Sequence, residues 1–81
     1  MVFVFDIDGT ICTNTDGDYA DAEPFSDVIE SINGLYSSGH TIKMMTARGA
    51  TTKIDWTDLT ASQLSDWGVK YHELIMNKKP Y

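Results

Sequence analysis

Val2-Phe3-Val4-Phe5-Asp6-Ile7-Asp8-Gly9-Thr10 is the stretch from which the rest of the chain is read. Asp6 excepted, the residues from Val2 to Ile7 are β-branched or aromatic, which predicts a short strand buried on both faces. The run ends in two carboxylates, then a glycine and a hydroxyl residue. In open parallel α/β sheets the carboxyl ends of the strands are where ligands bind, so Asp6 and Asp8 arrive at an active-site address. One such carboxylate can attack phosphorus while its other oxygen holds a divalent cation, and the second can serve as acid and base. The alternative is an Asp-Gly turn that merely closes a strand. Two unpaired carboxylates at the end of a buried strand cost free energy unless cations or hydrogen bonds offset them, which favours the chemical reading.

Composition narrows the classes. The chain has 81 residues, enough for one small domain with a thin core. Six basic against twelve acidic side chains give a net charge of -6, with no basic run able to track a phosphate backbone, so nucleic acid is not an expected partner. A small anionic substrate would need a metal or local cations to offset that field. Cys12 is the only cysteine, which rules out an internal disulfide and makes a reducing, cytoplasmic compartment the expectation. The N-terminal apolar run is too short to span a membrane and lacks a basic leader, so no membrane association is expected.

Along the chain, Gly9 to Glu23 is polar and turn-rich, and its acids do not match the spacing of a calcium loop. Pro24 leads into a predicted helix whose Phe25, Val28, Ile29, Ile32, Leu35 and Tyr36 form one apolar stripe, ended by Gly39. Gly34 within it suggests a close approach to the sheet. Thr41 to Thr46 reads as a second strand, followed by Ala47-Arg48-Gly49. A hydroxyl and an arginine there can donate hydrogen bonds to a phosphate oxygen held at the same edge as Asp6 and Asp8. Thr60 and Gln63 fit a capping box at the start of a second helix, with Leu64 and Trp67 facing the core and Gly68 as its stop. Trp56 and Trp67 read as packing residues, and His40 and His72 lie at strand starts, away from the proposed site. Val69 to Met76 reads as a third strand. Beyond it lie Lys78 and Lys79, placed either to offset phosphoryl charge or as a solvated basic tail.

With these residues in view, Asp6-Ile7-Asp8-Gly9-Thr10 resembles the first motif of the haloacid dehalogenase superfamily, mostly magnesium-dependent phosphatases that work through an aspartyl-phosphate. The resemblance spans essentially the whole chain and is narrowest to capless phosphatases of capsular or surface-polysaccharide synthesis. Their Asp-Gly-Thr strand, Gly-Asp-Tyr flap, Thr-Ala-Arg strand and Trp-Gly-Val-Lys-Tyr-His stretch all have counterparts here. It implies a Rossmann-like α/β fold with a short parallel sheet, flanking helices and no cap domain, over residues 1–81. It further implies Asp6 as nucleophile and magnesium ligand. Asp8 is implied as general acid/base that also lends its carbonyl to the metal. Thr46 and Lys79, with Gly9, Thr10 and Arg48, are implied as phosphate-binding, Lys79 matching the motif lysine better than Lys78. The Tyr19 segment is implied as a flap over the pocket. The implied reaction is hydrolysis of a small phosphomonoester, with a sugar phosphate as the first expectation.

The superfamily's fourth motif, an acidic pair completing the magnesium shell, has no counterpart before Tyr81. The resemblance therefore implies a domain cut before the last metal-ligand strand, with the first strand left at a sheet edge. An apolar edge without proline or bulge is a template for another chain, so association through Val2 to Ile7 is expected, either with a second copy or with a missing C-terminal piece. Two other readings stand beside the phosphatase. One is an inactive remnant that acts as a binding module. The other is a polynucleotide-end phosphatase, which should carry the basic groove that a net charge of -6 argues against.

Overall fold

A computed structural model describes residues 1–15, 17–49 and 54–76. Strand β1 (Val2–Asp6) is followed by helix α1 (Ser26–Ser37), strand β2 (Thr41–Met45), helix α2 (Thr57–Asp66) and strand β3 (Glu73–Ile75). The strands form one parallel sheet in the order β1-β2-β3, with Phe3 beside Ile42, Phe5 beside Met44, and Met44 beside Leu74. This is a small α/β architecture compatible with a Rossmann-like fold.

Each parallel pair needs a crossover, and α1 and α2 supply the two. With strand order equal to chain order, right-handed crossovers place both helices on one face of the sheet. The core agrees: Ile29 and Ile32 of α1 and Leu64 of α2 share one buried cluster with Ile42 and Met44 of β2, and Phe3, Phe5 and Leu74 pack against it. Full burial of each such aliphatic side chain contributes about 1.5–3 kcal/mol. The α1 stripe is as its spacing predicts, except that Phe25 lies outside it as the N-cap and is exposed. Gly39 closes the helix at φ +94°, the His40 N–H reaching back to the Leu35 carbonyl at 3.2 Å. Gly34 faces open space rather than the sheet, so its close-approach reading is corrected.

The second face of the sheet carries Val2, Val4, Lys43, Met45, Glu73 and Ile75, and no helix among the described residues covers it. Val2 is 58% and Val4 52% exposed, so β1 is buried on one face and not on both as its composition suggests. An exposed ion pair, Lys43 Nζ to Glu73 Oε2 at 3.2 Å, crosses the same face. Among the described residues β1 pairs with β2 alone and forms a sheet edge.

Two boundaries differ from the sequence expectation for physical reasons. β3 is shorter than Val69 to Met76 because the preceding backbone is engaged elsewhere. The Val69 N–H bonds to the Leu64 carbonyl and the Lys70 N–H to Asn33 Oδ1, and ladder contact begins only when the His72 N–H reaches the Ile42 carbonyl at 2.8 Å. α2 starts at Thr57, so Thr60 and Gln63 lie inside the helix and form no capping box. Asp55 serves the helix start instead, its Oδ1 accepting the Thr57 N–H at 2.9 Å. The histidines are structural: His72 Nδ1 accepts the Ile42 N–H and its ring stacks on Tyr36, while His40 meets Phe3 edge-on.

The exposed β1 edge makes the expected self-association measurable. Sedimentation at micromolar concentrations should show a species heavier than the monomer, and Val4→Lys, which puts a charge on the edge, should return it to monomer. A clean monomer of the unsubstituted chain removes the expectation.

Candidate functional site

The site grows from the turn that follows β1. Ile7, Ile11 and Cys12 are fully buried and anchor the turn in the core. Between them the Thr10 and Ile11 N–H groups both donate to the Ile7 carbonyl, and the Gly9 N–H donates to the Cys12 carbonyl at 2.9 Å. Gly9 sits at φ +83°, a backbone region that a side chain disfavours, which is why a glycine follows the second aspartate. The N–H groups of Gly9 and Thr10 are thus spent inside the turn in this conformation. Farther on, Thr13 and Glu23 pair through the Thr13 N–H to the Glu23 carbonyl and the Glu23 N–H to Thr13 Oγ1, closing the base of a surface loop. A short 3-10 helix, Tyr19–Asp21, lies within that loop.

Asp6 and Asp8 stand at the C-terminal edge of the sheet, beside the end of β2. Asp6 is half-buried, and its Oδ1 accepts the Ile7 N–H at 2.9 Å. Loss of water around it raises its pKa above the ordinary value, and the Asp8 charge adds to the rise, while the Ile7 N–H opposes both. Asp8 is held differently. Arg48 clamps it with two parallel bonds, Nε to Oδ2 at 3.0 Å and Nη2 to Oδ1 at 2.8 Å. The Arg48 side chain is 0% exposed and that of Asp8 17%.

Arg48 is the centre of a wider network. Its Nη1 donates to Thr60 Oγ1 at 3.1 Å and to Gln63 Oε1 at 2.6 Å, both on α2. Its Cζ lies 4.6 Å from the Tyr19 ring centroid, a cation-π contact with the loop. Gln63 also reaches the loop, Nε2 donating to the Tyr19 carbonyl at 2.6 Å. Trp56 meets the Tyr19 ring edge-on at 5.0 Å, so it packs on the loop. Thr46 is fully buried, and its Oγ1 accepts the Arg48 N–H at 3.1 Å. Arg48, with its donors turned inward, acts here as the strut of Asp8.

Cys12 lies behind the clamp, its Sγ 3.8 Å from Asp8 Oδ1. Burial, with the Asp8 charge, pushes its thiol up to about 11. That removes it as a nucleophile near neutral pH. A separate cleft lined by Pro24, Ser26, Ile29, Glu30, Asn33 and Trp67 includes neither aspartate.

The structure therefore brings together Asp6, Asp8, Thr46 and Arg48, with Gly9 and Thr10 in the adjoining turn. Lys78 and Lys79 lie outside the described residues. Sequence reasoning missed Gln63 and Thr60 as members of the site; their i, i+3 spacing put them on one helix face, and it was read as a cap instead. For magnesium, the half-buried Asp6 carboxylate is the candidate donor, since both Asp8 carboxylate oxygens accept from Arg48, and the resemblance adds the Asp8 carbonyl. Such a set fits a cation that keeps most of its water and leans on substrate phosphate for the rest. Among the described residues no group of three or more His, Cys, Asp or Glu is placed to hold a metal. No helix among them is long and apolar enough to cross a membrane.

No protein-family model matches the chain. No curated protein matches it either. Among solved structures it is similar to the crystal structure of an MCSG target from Vibrio cholerae, at 27% identity and a TM-score of 0.86, covering 96% of this chain and 70% of that one. The name of that protein states no activity, so the likeness speaks to the arrangement of the chain and not to chemistry.

Two stability measurements probe this site. Arg48→Ala strips a buried partner from Asp8, Thr60 and Gln63, and should cost about 3–5 kcal/mol in urea unfolding, with Arg48→Lys unable to restore a two-pronged clamp. Asp6→Asn should raise the melting temperature near neutral pH. The raised Asp6 value means that folding favours its protonated form, a contribution present at low pH and lost as pH rises through the folded value. The stabilisation by Asn should accordingly shrink as the pH is lowered.

Proposed function

We propose that the chain is a magnesium-dependent phosphomonoester hydrolase of the haloacid dehalogenase type, working through an aspartyl-phosphate on Asp6. The observation that carries the reading is the placing of Asp6 and Asp8 at the carboxyl edge of a parallel sheet, with Asp8 aimed by a sealed arginine. In the proposed reaction an Asp6 oxygen attacks phosphorus and the bond from phosphorus to the substrate oxygen breaks. The leaving oxygen takes a proton from Asp8. Asp8 then accepts a proton from a water that attacks the phosphorus, the Asp6 to phosphorus bond breaks, and inorganic phosphate leaves.

Thr46 and Lys79 are assigned to hold phosphoryl oxygens, with Gly9 and Thr10 adjoining. The Thr46 hydroxyl accepts the Arg48 N–H and keeps its own proton to donate, but it is buried, so the chain over it must yield to admit a substrate. Asp6 and the Asp8 carbonyl would hold magnesium, which when bound neutralises charge on the phosphoryl group. Arg48 keeps the Asp8 carboxylate from swinging toward Asp6, a positioning role rather than a phosphate contact. A small sugar phosphate remains the first substrate class, on resemblance alone.

A second reading, a binding module without catalysis, draws on the lack, among the described residues, of a group of three or more His, Cys, Asp or Glu placed to hold a metal. One assay separates the two. Phosphate release from small phosphomonoesters should require magnesium and be abolished by Asp6→Asn. Asp8→Asn should lower it by about a hundredfold or more, the range for loss of a positioned acid-base group. Release that survives Asp6→Asn, or no release by the unsubstituted chain, overturns the catalytic reading.

A further inference from the structure

The proposed chemistry leaves Asp8 with a geometric problem. Both of its carboxylate oxygens accept from Arg48, Nε to Oδ2 and Nη2 to Oδ1. A carboxylate held through both oxygens cannot turn toward a substrate unless part of the clamp gives. What governs how firmly the clamp is held is then part of the mechanism. Arg48 is held in turn by Thr60 and Gln63 from α2 and by the Tyr19 ring from the loop.

Among these, Gln63 alone has one end on the guanidinium and the other on the loop. Its Oε1 accepts from Arg48 Nη1 and its Nε2 donates to the Tyr19 carbonyl, each at 2.6 Å. The amide cannot turn over without losing both bonds, since a carbonyl oxygen would then face the Tyr19 carbonyl and an N–H would face the guanidinium. Gln63 is also nearly sealed from water, so neither bond has solvent as a ready substitute.

We propose that Gln63 is a positioning residue that couples the Tyr19 loop to the aim of Asp8, so that closing the loop and tightening the Arg48 clamp are one event. The loop end is the short helix Tyr19–Asp21, and the site end is the Asp8 carboxylate. Thr60 anchors Arg48 through its hydroxyl and is not part of the proposed coupling. The catalytic consequence rests on the phosphatase reading above; the coupling itself does not.

Coupling of this kind is reciprocal and is read by a double-mutant cycle. Amide hydrogen exchange at Asp21 and Ala22, whose N–H groups bond within the loop turn, reports the loop end without any substrate. In the unsubstituted background Asp8→Asn should speed exchange at these amides by about fivefold or more, the factor implied by loss of one intramolecular hydrogen bond. In a Gln63→Ala background the same Asp8→Asn change should have a clearly smaller effect, reduced to what the direct Arg48 contact with the Tyr19 ring carries. Gln63→Glu is the second probe, since it keeps an acceptor for Arg48, now charged, and sets an acceptor in place of the donor against the Tyr19 carbonyl. It should speed the loop amides as Gln63→Ala does, while the α1 amides of Ile29 and Ile32 stay slow and report that the fold is intact. Loop exchange indifferent to Asp8→Asn, or raised equally with and without Gln63, overturns the coupling. If the chain releases phosphate, Gln63→Glu should lower kcat more than it raises KM; a rise in KM alone counts against an effect on Asp8. Absence of phosphate release by the unsubstituted chain sinks the phosphatase reading and leaves the exchange result to judge the coupling.

Discussion

A guanidinium cut off from water must find an acceptor or an aromatic face for each part of its planar fork, and Arg48 can do so only if several distant segments converge on it. The turn after β1 contributes Asp8, α2 contributes Thr60 and Gln63, and the surface loop contributes Tyr19. Charge burial of this kind costs several kcal/mol per ion and is offset only where the bonds are complete. The requirement sets the register of α2 against the sheet, because a rotation of the helix by one residue would carry both Thr60 and Gln63 off the guanidinium. It also fixes where the loop can rest. The candidate site is thus built from the arginine outward rather than from the aspartates inward.

The topology explains why this convergence occurs at one end of a thin domain. Both crossovers cover the same face, so the core forms a single layer between sheet and helices. At the carboxyl edge the three chain segments leaving β1, entering the loop and starting α2 come together with little room for water. At the opposite edge the chain has simpler tasks, and there the histidines act as packing and capping groups.

Much of the fold was legible because it rests on local signals. The apolar stripe of α1, its glycine stop at Gly39, and the alternation of strand and helix all follow from periodicity and turn chemistry. The two aspartates were legible as a candidate site for a similar reason: carboxylates at the end of an apolar strand conflict with their surroundings, and such conflicts are where a site is sought. The illegible parts are those in which a residue's partner is remote in sequence. Thr60 and Gln63 carry the local pattern of a helix cap, but the pairing that claims them joins positions 12 and 15 residues away. β1 looked doubly buried because composition records the preference of a strand, while coverage depends on where the crossovers go. Asn33 is the same case, a polar residue on α1 whose amide ties the helix to Gly68 and Lys70. The catalytic roles, the metal and the substrate rest on a resemblance in sequence, since the structural likeness to the Vibrio cholerae protein brings no chemistry with it.

The network around Arg48 also shapes how this sequence can change over evolutionary time. Replacing Asp8, Arg48 or Gln63 singly leaves an orphaned polar group in a dry interior, and a domain of this size has little stability to spare. Drift at these positions must therefore be concerted: the set is inherited whole or exchanged whole, with a barrier between. The arginine and its partners should therefore pass from ancestor to descendant as a single unit.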